Sequence, residues 1–257
     1  MSAQVIASTQ NVYFRQLKTL ADSAAARREQ GKTLLDGEHL LEAWLAGGRV
    51  LQQILVADAE METYWQTRCP TVPVQRLAPH LLSALSPVKT PTGVMALVEI
   101  PVSSCSARFG VLLERIQDPG NLGAMLRSAA AAGVDTVWLS EGCADVWSPK
   151  VLRGGMGAHV HLALVVDADL CAVAKTFPGV VYATSPGVPQ SLFDVDLTDA
   201  VAFAFGNEGS GLTPALQTAI AQVISIPMPG QMESLNAAAA LAVCLFERVR
   251  QQKNVRA

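Results

Sequence analysis

An α/β protein built on a parallel sheet, preceded by a small α/β domain, is predicted by three features of the sequence. Apolar runs recur through the second half of the chain at "FGVLLERI", "VDTVWLS", "VHLALVV", "GVVYATS", "AVAFAFG" and "VISIPM", separated by helical or loop segments. Strands alternating with helices make βα units, and strands buried on both faces read as continuous apolar runs. Hydrophobic residues make up 50% of the 257 and charged residues 16%, which suits well-buried layers and argues against disorder. Finally, the Pro and serines of "IPVSSCSAR" (100–108) separate two differently patterned halves. The expected boundaries are 1–100 for the small domain, 101–108 for a linker and 109–257 for the main domain.

In chain order, "VYFRQLKTLADSAAARREQG" predicts one amphipathic helix ended by Gly31. "TLLDGEHLLEAWLAGG" follows as a short strand leading into a helix with a Gly-Gly stop, and "VLQQILVAD" and "VMALVEI" supply further strands. In the second half, His159 and His161 are expected to alternate along a strand and are given no role. The runs Ala129 to Ala132 and Ala237 to Ala240 predict helices packed closely against a sheet or another subunit.

Several function classes are disfavoured. No apolar stretch approaches the roughly 20 residues of a membrane span, and the N-terminus lacks a signal-peptide layout, so a cytoplasmic protein is expected. The cysteines at 69, 105, 143, 171 and 244 are scattered, with no C-x-x-C pair, indicating neither a disulfide framework nor a metal site. A net charge of −3 gives no general electrostatic attraction for nucleic acid. Residues 101–257 carry ten basic and thirteen acidic side chains, whereas residues 1–32 carry five basic and two acidic. A solvated helix face accounts for that local excess more readily than a basic arm meeting phosphates.

Ligands of open parallel sheets bind beyond the carboxyl ends of the strands. Three loops fall there: "QDPGNLGAMLRSAAAAG" (117–133), "FGNEGSGL" (205–212) and "IPMPGQMESLNAAAALA" (226–242). The first and third open helices, whose N-termini offer N–H groups and positive partial charge. Neither the dinucleotide fingerprint G-x-G-x-x-G nor the phosphate loop G-x-x-x-x-G-K-[ST] occurs at these places, which removes a nucleotide-dependent dehydrogenase from contention.

Taken together and in order, "DPGNLGAMLRSAAAAGV", "SPKVLRGGMGAHVHL", "FGNEGSGL" and "IPMPGQMESLNAAAALA" resemble the signature motifs of the SpoU (TrmH-like) RNA ribose 2′-O-methyltransferases of the SPOUT class. "LLDGEHLL" and "VKTPTGVMALV" extend the resemblance to a small RNA substrate-binding domain. The resemblance implies S-adenosylmethionine as methyl donor, RNA as substrate (ribosomal more than transfer RNA), a homodimer, and a trefoil knot in the C-terminal segment; no metal is expected. A catalytically inactive RNA-binding or ribosome-associated protein of the same fold is the alternative.

By the same resemblance, Thr184, Gly206, Ile226, Met228 and Leu235 contact the cofactor, and Arg127, Glu208 and Asn236 serve catalysis. Asn121 and Arg127 are also assigned to RNA contact; Lys150 and Arg153, in "SPKVLRGG", either reach RNA phosphates or belong to a solvated loop. Methyl transfer to a ribose oxygen is an in-line displacement that needs the hydroxyl aimed and its proton removed. A free guanidinium is a poor base, so Arg127 reads first as a phosphate clamp and stabiliser of the developing alkoxide, with base action left open. Ser234 and Asn236 precede a helix and either suits an N-cap; Asn236 is assigned to active-site hydrogen bonding and Ser234 to a mixture of cap and site.

Overall fold

A computed structural model of the protein describes residues 5–102 and 108–255. The expected linker at 101–108 falls largely on 103–107, and Cys105 with it, outside the described residues. The chain divides into two compact units, Met1–Val102 with Trp147–Val160, and Ser103–Val146 with His161–Ala257.

The first unit begins with α1 (Val12–Asp22) and α2 (Ala24–Gln30), where the sequence periodicity predicts a single helix. The break is Ser23, whose extended backbone stops α1 while its side chain accepts from the Ala26 N–H to cap α2. A residue able to start a helix interrupts the one running into it, because its hydroxyl satisfies an N–H that the first turn leaves without a partner. Then come β1 (Lys32–Asp36), α3 (Glu38–Ala46), β2 (Gln53–Val56), α4 (Ala59–Arg68), β3 (Val74–Arg76), α5 (Pro79–Leu85) and β4 (Val94–Glu99). The sheet order is β1-β4-β2-β3, with β4 antiparallel to both neighbours and β2 parallel to β3. Phe14 and Leu17 of α1 and Leu81, Leu82 and Leu85 of α5 pack with Leu34, Leu55 and Met95 of the sheet.

The second unit carries β5 (Phe109–Leu113), α6 (Pro119–Ala132) and β6 (Thr136–Leu139). The chain then supplies α7 (Pro149–Gly155) to the first unit, where the Thr33 hydroxyl donates to the Trp147 carbonyl at 2.7 Å. The division expected from the sequence places that stretch in the second half, and the contacts of α7 with β1 place it in the first unit. His159 lies in a 3-10 turn over Ala158–Val160, and the next strand starts only at Ala163. The expected alternation of His159 and His161 on a strand is therefore corrected: Gly157, with φ 90°, turns the chain before a strand can begin.

β7 (Ala163–Val165), α8 (Leu170–Thr176), β8 (Val180–Thr184), β9 (Val201–Phe205), α9 (Pro214–Ala219), β10 (Gln222–Ile224) and α10 (Ala237–Val255) complete the unit. The strands form one sheet in the order β10-β8-β9-β5-β6-β7, parallel at every pairing, as the apolar runs predict. Leu112, Ala202 and Ala204 pack with Leu212, Leu216 and Ile220 around α9. α6 and α10 lie against each other, and the Arg248 guanidinium of α10 stacks 4.0 Å over the Phe109 ring. Among the described residues no helix is long and apolar enough to cross a membrane.

Candidate active site

The site grows from the ends of β8, β9 and β10. After Phe205 the chain turns back on itself, with Asn207 and Gly211 exchanging backbone hydrogen bonds of 3.1 and 2.9 Å. Gly206 is needed for this approach: a Cβ there would stand 2.1 Å from the Gly211 carbonyl carbon. The Asn207 amide oxygen accepts from the Gly209 and Ser210 N–H groups at 3.0 and 3.1 Å, and its Nδ2 donates to the Arg115 carbonyl at 3.0 Å. One side chain thus folds the glycine loop and ties it to the exit of β5. Below it, buried Glu114 accepts from both the N–H and the hydroxyl of Thr213 at 2.7 Å, fixing the start of α9.

α6 starts on Asp118, whose carboxylate accepts from the Asn121 N–H at 2.7 Å, with Pro119 in the first turn. That cap sets the Asn121 side chain between two other loops. Its Nδ2 donates to Glu208 Oε1 at 3.1 Å, and its Oδ1 accepts from Asn236 Nδ2 at 3.0 Å. The Asn236 oxygen in turn accepts from the Ala238 and Ala239 N–H groups at 2.9 and 3.4 Å, capping α10. Both ends force the direction of this chain, since an ionised carboxylate only accepts and helix N–H groups only donate. Burial pushes the Glu208 carboxyl up, but the hydrogen bonds from the Asn121 side chain and from nearby main-chain N–H groups outweigh it, leaving the group below the usual carboxylate range.

These elements surround a cavity of about 460 Å³. Thr184, Gly206, Ile226, Met228 and Leu235 all line it, together with Asn121, Glu208, Ser234 and Asn236. Sequence reasoning passed over Ser185, Pro186, Asn207, Ala237 and Ala240, which also line it. For Asn207 the signal was present, an amide set between glycines at a strand end, the residue type that bonds to the backbone two residues on. Arg127 is exposed on α6, outside the residues that line the cavity, with no ion pair among the described residues. Lys150 and Arg153 sit on α7 in the first unit; Lys150 is exposed, and Arg153 stands 3.7 Å from the buried Asp36 carboxylate. Among the described residues no group of three or more His, Cys, Asp or Glu is placed to hold a metal ion.

The lining suits S-adenosylmethionine. The volume falls in the range of about 300–1,000 Å³ usual for small-molecule sites. Ile226, Met228 and Leu235 give apolar walls for a flat base, while the bare backbone at Gly206 and the hydroxyl of Thr184 give polar edges.

The model of the SpoU rRNA Methylase family matches residues 108–246. The chain is 35% identical to an uncharacterized tRNA/rRNA methyltransferase of Synechocystis, over 96% of this chain and 94% of that one. It is 34% identical to the 23S rRNA (guanosine(2553)-2'-O)-methyltransferase RlmP of Bacillus subtilis, over 86% and 90% of the two chains. The SpoU methyltransferase AviRb of Streptomyces viridochromogenes, solved in complex with the cofactor AdoMet, superposes with a TM-score of 0.81 at 29% identity, covering 95% of this chain and 100% of that one. This chain belongs to the SpoU rRNA methylase family.

Proposed function

We propose that the protein transfers the methyl group of S-adenosylmethionine to a ribose 2′-hydroxyl in structured RNA, ribosomal rather than transfer RNA. The observation that carries this reading is the meeting of Gly206, Ile226, Met228 and Leu235 with Asn121, Glu208 and Asn236 around one cavity at the carboxyl ends of the strands. The preference for ribosomal RNA rests on relatives named for that substrate.

When bound, the cofactor supplies an electrophilic methyl carbon on a cationic sulfur. The chain's own residues then have three tasks. Gly206, Ile226, Met228 and Leu235 hold the donor, with Thr184 at the edge. Asn121 and Asn236, anchored through Glu208, present oriented amide groups to the incoming ribose and keep its hydroxyl in line. Arg127 supplies positive charge to a neighbouring phosphate and to the alkoxide that develops as the hydroxyl proton passes to solvent water.

The small domain, with Lys150 and Arg153 on α7, is assigned to RNA recognition. RNA loops with splayed bases expose the ribose that such a site must reach. A homodimer is part of the proposal, with α6 and α10 as contact faces; Phe246 on α10 is 48% exposed, an apolar side chain that a second copy would cover. So is a trefoil knot in the segment that leads from β10 back to the cavity at Ser234–Asn236, and action in the cytoplasm.

The test is methyl transfer from labelled S-adenosylmethionine to deproteinised ribosomal RNA and, separately, transfer RNA. Label in alkali-resistant dinucleotides of ribosomal RNA supports the reading. Binding of RNA without transfer favours the inactive RNA-binding protein instead.

A further inference from the structure

β5 leaves the centre of the six-stranded sheet through Glu114 and Arg115. Arg115 has φ 54°, the left-handed region, where any side chain carries a steric cost that glycine does not. Its backbone is held there from two sides. The Arg115 N–H donates to Ser140 Oγ at 3.0 Å, and its carbonyl accepts from Asn207 Nδ2 at 3.0 Å. Asn207 folds the glycine loop and lines the cavity, so the turn at Arg115 is bonded directly to a residue of the cavity wall. Both bonds use main-chain atoms alone, and a glycine would make them without the conformational penalty. The side chain at this position therefore needs its own account.

That side chain has a prepared bed. Its Cγ and Nε would lie 3.5 and 3.7 Å from a Cβ built on Gly142, itself at φ 85°, so the turn after β6 lets the arginine stem lie across it. Arg115 is exposed and has no ion pair among the described residues. The surroundings explain what the charge is for. Asp118 and Glu208 flank Asn121 at the same end of the sheet, and residues 101–257 are net acidic. An approaching polyanion meets repulsion there, which a guanidinium at the rim offsets while contacting a phosphate.

We propose that Arg115 is an RNA-phosphate contact at the rim of the methyl-transfer cavity, its guanidinium carried across the Gly142 turn. The inference rests on the RNA methyltransferase reading and adds a substrate-binding residue to it.

The test uses the full chain, transcribed 23S ribosomal RNA as probe, and binding measured over a series of KCl concentrations. Arg115→Gly removes the charge while keeping the backbone conformation, and Arg115→Asn is a second neutral variant that tolerates positive φ. Both are expected to bind S-adenosylmethionine like the wild type. Their plot of log affinity against log salt should be shallower by about 0.7–0.9, the loss of one phosphate contact. Arg115→Lys should restore the slope. Unchanged slopes in both neutral variants overturn the inference, while the methyltransferase reading stands as long as the wild type transfers methyl groups to that RNA. Absence of transfer by the wild type overturns the reading and the inference together.

Discussion

The side chain of Asn236 caps α10 through its oxygen and, through its nitrogen, donates to Asn121 at 3.0 Å, so the last helix of the fold and the centre of the site share one residue. The two roles separate by substitution. Asn236→Asp keeps an acceptor for the Ala238 and Ala239 N–H groups and adds negative charge at a helix start, so the melting temperature should stay near wild type. It also loses the donor and sets a carboxylate against the Asn121 oxygen, and methyl transfer should fall about tenfold, the upper end for the loss of one hydrogen bond between neutral groups. Asn236→Ala should lose both, with a stability cost of about 1 kcal/mol. Thermal melts beside single-turnover transfer rates check the split.

Glu208 gives a prediction in pH. Its folded carboxyl sits below the ordinary range because Asn121 and main-chain donors overcome the opposing effect of burial. A depressed value means that the ionised group contributes fully above the unfolded carboxylate value and is lost only as pH falls through the folded one. The rate ratio of wild type to Glu208→Gln should therefore be constant through neutral and mildly acidic pH and shrink only below the ordinary carboxylate range. A ratio that changes near neutrality would remove Glu208 as the anchor of Asn121.

Arg127 is exposed and without an ion pair among the described residues, so it can be removed without disturbing the fold. Arg127→Ala should change stability by no more than about 0.5 kcal/mol. Transfer should drop by about 10²–10³, the usual loss for one group aimed at developing negative charge. Arg127→Lys should recover only part, because an ammonium lacks the planar fork that fits a phosphate. Wild-type transfer by Arg127→Ala would withdraw the residue from the mechanism.

On α7, Lys150 and Arg153 should behave differently. Burial raises the Asp36 carboxyl, against the lowering effects of the Ser86 hydroxyl and the Arg153 charge. A raised folded value means that stability is lost as pH rises from the unfolded value through the folded one, since the folded state then holds an ionised group that water would hold better. Arg153→Met removes the compensating cation, and because Arg153 is 44% exposed the loss should be modest, about 1 kcal/mol. That loss should shrink as pH falls and Asp36 protonates. Lys150→Ala should leave the melt unchanged and weaken RNA binding alone. Melts of both variants across pH distinguish them.

The parallel sheet was legible because its strands are buried on both faces, so that "VDTVWLS" and "AVAFAFG" read as strands without their partners. Part of the cavity was legible because Gly206 and Ile226 lie one and two positions past β9 and β10, where glycine, proline and amide side chains break the apolar pattern. Other features depend on contacts that no local spacing encodes. Thr33 and Trp147 meet across more than a hundred residues, which is how α7 comes to belong to the first unit. The helical period runs straight through Ser23, and only the capping hydrogen bond reveals that the helix restarts there. Arg115 looks like an ordinary strand-end cation until its φ is known.

The central claim is that the backbone at Gly206 closes a pocket for S-adenosylmethionine, and calorimetric titration of the cofactor tests it most directly. One molecule should bind per chain in the wild type and equally in Arg127→Ala, while Gly206→Ala, whose methyl group would strike the Gly211 backbone, should show no binding at the same concentrations. No binding by the folded wild type, or undiminished binding by Gly206→Ala, would contradict the account.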